Sequence, residues 1–320
     1  MQKVYNNLLV VLVRQNYKEK AEIIYKKLKI LSIFLMLGAS FFFACATILV
    51  KGLGGVTFGD SIHPFQIAHA RFCFSFIILI VIYGLIKPNI RSSNLRLHFF
   101  RSLLGWSGVV ILFTSVLYIP VSDATALTFL NPIFAMIFAV LIFREKVGII
   151  RWGAAGISFS GALLLIRPTM NLDLEPMAVI CLFGAIIMGL EIICIKTLSG
   201  RETIFKIMFL NNFIAMFIGT AFLPFVFVIP GYTELGVLLL IAICMLLGQL
   251  CFINSIKHAD TSLLMPFFYT TLIFVIFLDL VFFTSVPDKI SYGGAAIIIF
   301  GSFIVTLREY KNKNVVVGPD

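Results

Sequence analysis

Ten stretches of this chain are apolar over the length a helix needs to cross a bilayer: 30–50, 64–86, 99–119, 122–143, 148–167, 174–196, 204–229, 234–256, 261–284 and 290–307. About 20 residues at 1.5 Å each span a hydrocarbon core of about 30 Å. Fitting ten such runs into 320 residues leaves only short connections and no room for a soluble catalytic domain. The charged residues, 12% of the total, cluster between the runs, and the mean hydropathy is +1.06. The expected fold is an all-α membrane protein of ten transmembrane helices. The 34 Phe read most simply as lipid-facing surface.

Lys and Arg set the orientation, because loops rich in them stay in the cytoplasm. Seven precede the first run, four follow the second (Arg101 among them), and three each follow the fourth and sixth. With Lys257 and three in the tail these make twenty-one, against Lys51, Arg167 and Lys289 on the other side. Both termini are therefore expected in the cytoplasm. The net charge of +10 reports topology and gives no reason to expect a nucleic-acid partner. Residues 1–29 form a basic cytoplasmic segment, either an amphipathic surface helix or a solvated tail. Ala44-Cys45-Ala46 resembles a signal cleavage site but lies inside the first run. The repeat described next needs that run, so it is expected to be retained.

The two halves echo each other. LGASFFFACATILVKGL (37–53) matches LFGAIIMGLEIICIKTL (182–198), with Lys51 over Lys196. HPFQI (63–67) falls on TIFKI (203–207), and RWGAAGISFSG (151–161) on SYGGAAIIIFG (291–301). Five spans per half is an odd number, so equivalent helices run in opposite directions. Inverted repeats of this kind build secondary transporters that bind substrate near the midplane.

With HPFQIAHARF opening the second span, LHFFRSLLGW the third, YIPVSDATALTFLNPIF joining the third and fourth, and FREKVGIIRWGAAGISFSGALLLIRP ending the half, the chain resembles the EamA-type ten-helix members of the drug/metabolite transporter superfamily. ADTSLLMPFFY and VPDKISYGGA continue the likeness in the second half. The resemblance implies EamA-like five-helix repeats at 30–167 and 174–308, followed by a cytoplasmic tail, 309–320. It also implies a secondary carrier of small organic metabolites in the inner membrane, with compounds such as S-adenosylmethionine, riboflavin or amino acids as substrates, taken up or exported. Coupling to protons or counter-substrate exchange would drive it. One departure stands out: Ser285 occupies the place aligned with Glu145, where the family often repeats the acid.

A charge at membrane depth costs about 2.5–3.5 kcal/mol on insertion scales, so such residues face a partner or a wet cavity. Arg71, Glu191 and Asp279 are the candidates, as substrate ligands or as buried ion pairs. Arg71 lies about 12 Å below the outer surface and Asp279 about 8 Å, at 1.5 Å per residue. The expectation is that Asp279 is the resting counter-ion of Arg71. Asn131, Trp106 and Tyr269 are further substrate-binding candidates. Pro132 and Pro266 interrupt their helices and free carbonyls, as kinks or hinges. Glu145 is expected in a local ion pair with Arg144 or Lys146, and Gln249, Asn254, Asn211 and Asn212 as links between helices. The Gly and Ala runs at 153–156 and 293–296 are assigned to close packing, and Tyr118 is an interfacial residue or a stacking ring.

Enzymatic chemistry is not expected. The six cysteines all lie in apolar runs without CxxC spacing, and His63 and His69 are a poor metal pair. No G-x-x-x-x-G-K-[ST] loop is present, so neither metal, cofactor nor nucleotide hydrolysis enters the reading. A membrane-embedded sensor or structural protein remains the alternative of a different class.

Overall fold

Each of the ten apolar runs contains a helix among the described residues. The computed structural model describes residues 2–54, 62–91, 94–115, 127–166, 176–283 and 289–311. Tyr118 and Ser285 lie outside these. The helices are α1 (Gln2–Gly54), α2 (Pro64–Ile86), α3 (Leu95–Ser115), α4 (Asn131–Phe143), α5 (Ile149–Ile166), α6 (Pro176–Ser199), α7 (Ile204–Thr220), α8 (Tyr232–His258), α9 (Thr261–Phe268), α10 (Thr270–Phe283) and α11 (Lys289–Lys311). α9 and α10 together form the ninth span, and the described residues contain no strand. Six spans have full membrane-crossing length within the described residues, and four shorter apolar helices complete the ten. α1 continues without a break from the basic segment into the first span. Large apolar side chains such as Phe34, Leu85, Phe217 and Phe282 remain outward, as a lipid-facing surface requires.

Packing follows the repeat. The contact of α1 with α8 has its counterpart in α6 with α3, that of α1 with α10 in α6 with α4, and that of α2 with α8 in α7 with α3. The contacts α2–α7, α4–α9 and α5–α11 map onto themselves and so lie on the axis relating the halves.

The α5–α11 contact is made by small residues. A Cβ on Gly161 would lie 2.7 Å from the Gly294 carbonyl oxygen, and one on Gly301 would lie 2.9 Å from that of Ala154. Gly153, Gly156 and Gly293 have open space instead, so within the expected runs the close approach is made at Ala154 and Gly294 and not along the whole of each.

The fourth and ninth spans are interrupted, and each proline explains why. Pro132 has no N–H to offer the preceding turn, and it opens α4 at the helix start, not within it. Ile133 donates its N–H to Leu130 (3.0 Å), which leaves the Phe129 carbonyl free. Pro266 lies inside α9, and the helix breaks three residues later at Tyr269. There the hydroxyls of Ser302, Thr270 and Thr271 donate to the carbonyls of Pro266 (3.2 Å), Phe267 (2.6 Å) and Phe268 (2.7 Å). Freed backbone in a membrane must find such partners. The fully buried Tyr269 hydroxyl donates to Phe129 O at 3.0 Å, so the two interruptions are tied to each other across the axis.

Candidate functional site

A cavity of about 220 Å³ opens between the halves, with walls from α1, α2, α3, α4, α6, α7, α8 and α9. Four expected residues line it: Arg71, Trp106, Asn131 and Glu191. A third charged residue, Arg101, counts from the sequence among the cytoplasmic loop cations. It is instead 1% exposed inside α3 and faces the same space.

The three charges are close but loosely matched. Arg101 Nε is 3.7 Å from Glu191 Oε1, an ion pair but too long for a hydrogen bond. Its Nε and Nη1 are buried with no hydrogen-bond acceptor among the described residues. Among the described residues Arg71 makes a weak contact from Nη1 to Met245 Sδ at 3.5 Å, and its guanidinium lies 4.3 Å from the Phe72 ring centre. The charges acting on Arg71 are those of Glu191 and Arg101. Two guanidiniums and one carboxylate leave one positive charge over. Asn131 Oδ1 and Gln249 Oε1 add two buried acceptors with no donor among the described residues. Polar atoms orphaned this way cost about 1–3 kcal/mol each and are the natural contacts for a bound molecule.

Local sequence explains the arrangement. Gly105 on α3 lies against Glu191, where a Cβ would come within 2.6 Å of Oε1, so glycine lets the carboxylate lie across the helix. Ser102, one residue beyond Arg101, donates to Asn211 Oδ1 at 3.1 Å and joins α3 to α7. Trp106 lines the cavity and stacks at 4.9 Å on Phe222. Asn212 and Asn254 donate to carbonyls of their own helices, so of the four amides expected between helices Asn211 is the one that makes such a bond among the described residues.

Asp279 is not the counter-ion of Arg71. It pairs with Lys51 at 2.5 Å, near the end of α1. Equal depth holds no information on azimuth, and Asp279 sits on the helix that packs against α1. Tyr269 is also outside the cavity wall and serves the tie to Phe129. Glu145 departs from its expected local pair too: it accepts from Lys196 Nζ (2.9 Å) and from the backbone N–H groups of Thr261 and Ser262 (both 3.2 Å). Burial works against its charge, but Lys196 and the Ser262 contacts outweigh it and hold the carboxyl below the usual carboxylate range. His63 and His69 take separate partners, the Phe65 N–H (3.3 Å) and the Thr220 hydroxyl (3.0 Å).

The family described as EamA-like transporter family matches residues 30–167 and, a second time, 176–307. An "S-adenosylmethionine uptake transporter" of Rickettsia conorii is 25% identical over 259 residues, covering 80% of this chain and 87% of that protein. A "Riboflavin transporter" of Vibrio cholerae is 26% identical over 228 residues (71% and 76%), and a "Pseudopaline exporter CntI" of Pseudomonas aeruginosa is 25% identical over 200 (62% and 70%). One crystal structure superposes with a TM-score of 0.76 over 87% of this chain and 98% of its own, at 15% identity. That similarity concerns the fold.

Proposed function

Because the chain belongs to the EamA-like transporter family, with its ten helices in two inverted repeats, and is a transporter and not an enzyme, we propose that it carries a small organic metabolite across the bacterial inner membrane by secondary active alternating access. The two moving halves are residues 30–167 and 174–308, with the basic segment 1–29 and the tail 309–320 in the cytoplasm. Proton coupling or counter-substrate exchange drives the cycle.

The observation that carries this reading is the gathering of Arg71, Arg101 and Glu191 in one cavity between the halves. Three charges at depth are each costly, and the surplus positive charge suits an anionic or electron-rich group on the substrate. The guanidinium fork of Arg71 binds that group, with Arg101 beside it. Glu191 then takes up a proton or contacts a substrate cation. Trp106 and Asn131 supply a ring face and an acceptor. S-adenosylmethionine and riboflavin, named on relatives, are the first substrates to try.

The deciding experiment places purified protein in vesicles of each orientation, with and without a proton gradient and without ATP. Accumulation or exchange of labelled S-adenosylmethionine or riboflavin supports the reading, and its orientation dependence separates uptake from export. A strict need for ATP and a partner protein sinks it. Movement of no metabolite in a broad uptake screen favours a sensor or structural role.

A further inference from the structure

Taking transport by alternating access as given, we propose that Lys196–Glu145 and Lys51–Asp279 are alternately made closures at the two mouths of the cavity, and that the Tyr269–Phe129 contact is the pivot between them. Each lysine stands just beyond the cavity wall. Thr47 lines the cavity and Lys51 follows one turn later on α1, while Ile195 lines it and Lys196 is the next residue on α6. The two lysines are equivalent in the repeat, and α1 and α6 run in opposite directions, so they stand at opposite faces. Their acids belong to the two interrupted spans: Glu145 follows α4, and Asp279 lies in α10.

The acids themselves are not equivalent, since Ser285 holds the place aligned with Glu145. The lysine-to-acid link is nevertheless made at both ends, between the counterpart helix pairs α1–α10 and α6–α4. Between these links the interrupted spans are joined by the hydrogen bond from Tyr269 to Phe129, on the axis of the repeat. A broken helix held at its end and tied at its break is a lever.

The two closures differ in strength. Lys196 and Glu145 are 19% and 8% exposed at the side chain, and the pair is reinforced by the Ala259 carbonyl (3.0 Å) and the N–H groups of Thr261 and Ser262. Lys51 and Asp279 are 54% and 22% exposed, and among the described residues the pair is joined further by Lys51 over the Phe283 ring at 4.9 Å. The Lys51 mouth opens first.

The test uses the full chain in right-side-out and inside-out vesicles, with its cysteines replaced and one introduced by Thr47→Cys. A membrane-impermeant maleimide then reads which face reaches the cavity. Asp279→Asn is expected to raise labelling from the Lys51 face by about fivefold, the population shift that a partly exposed pair commands. Glu145→Gln raises it from the Lys196 face, and Lys51→Asp/Asp279→Lys returns it to the starting level. If Glu145→Gln is not recovered folded, Lys196→Gln removes the same link. Unchanged sidedness in these variants, or opening of the same face by both neutralisations, overturns the proposal. Labelling needs no substrate, so the two failures separate. Sided labelling in vesicles that move no metabolite sinks the transport reading alone, and transport without a change in sidedness sinks the closures alone.

Discussion

Along the α5–α11 seam two backbones approach until a single added carbon on Gly161 or Gly301 has nowhere to go. In the cavity between the halves the same chain leaves about 220 Å³ unfilled and turns two guanidiniums and a carboxylate into it. Lipid tails are as apolar as leucine, so helices in a membrane associate through close packing and polar links instead of hydrophobic burial. The seam uses the first means and the cavity wall the second. Packing holds the seam whether or not anything is bound, whereas the unmatched polar atoms of the cavity are left for something else to satisfy.

Substitutions should separate the two regions, beginning with the seam. Gly301→Leu should leave no monodisperse protein after solubilisation, because its Cβ meets the Ala154 carbonyl and the Ser158 backbone at about 3 Å or less. Recovery of a sharp size-exclusion peak with unchanged melting would show that the seam yields. Next, Arg101→Ala should give folded protein whose vesicle transport is at background, at least about tenfold down, since Glu191 loses its nearest charge and the cavity an anchor. A melting loss with normal uptake would move Arg101 from the site to the scaffold. Arg71→Lys keeps the charge but not the fork and should lower uptake by about tenfold.

Smaller still is the effect at Glu145, outside both regions. Its folded pKa is depressed, so its contribution is present above the ordinary carboxylate range and disappears as pH falls through the lower folded value. Glu145→Gln should therefore melt below wild type at neutral pH, by a difference of about 2 kcal/mol, and the two should converge in acid. A gap that persists at the lowest pH would mean the loss is steric. At the other end of the scale, Gly153→Ala, with open space around it, should change melting by no more than about 1 kcal/mol in either direction.

The contrast also governs what a reader of the sequence alone can recover. Bilayer thickness imposes helix length, so the ten spans were legible directly, and the matched lysines 51 and 196 gave away the inverted repeat. Arg71 and Glu191 stood out because each is a charge in the interior of its run, whereas Glu175 and Lys196 lie at the ends of the run that holds Glu191. Arg101 did not, because it follows Arg91 and Arg96 and looks like the last of a loop cluster; only packing of α3 against α6 buries it. The partner of Asp279 was equally hidden, since depth can be counted along a helix while the face it presents depends on neighbours far away in sequence. Orphaned atoms such as Asn131 Oδ1 leave no mark in the sequence at all.

Arg101 also bears on how the chain enters the membrane. The third span, Leu95–Leu112, has the lowest mean hydropathy of the six long ones, 1.2 against 2.6 for Tyr232–His258. It carries Arg96, His98 and Arg101 in its first half, and a cation at depth opposes insertion by about 2.5–3.5 kcal/mol. The carboxylate that answers Arg101 belongs to the sixth span, which is synthesised later, as is Glu202, the partner of His98 at 2.8 Å. By hydropathy the third span is thus the least self-sufficient of the long spans among the described residues, and the acids that answer its buried cations come from the second half of the chain.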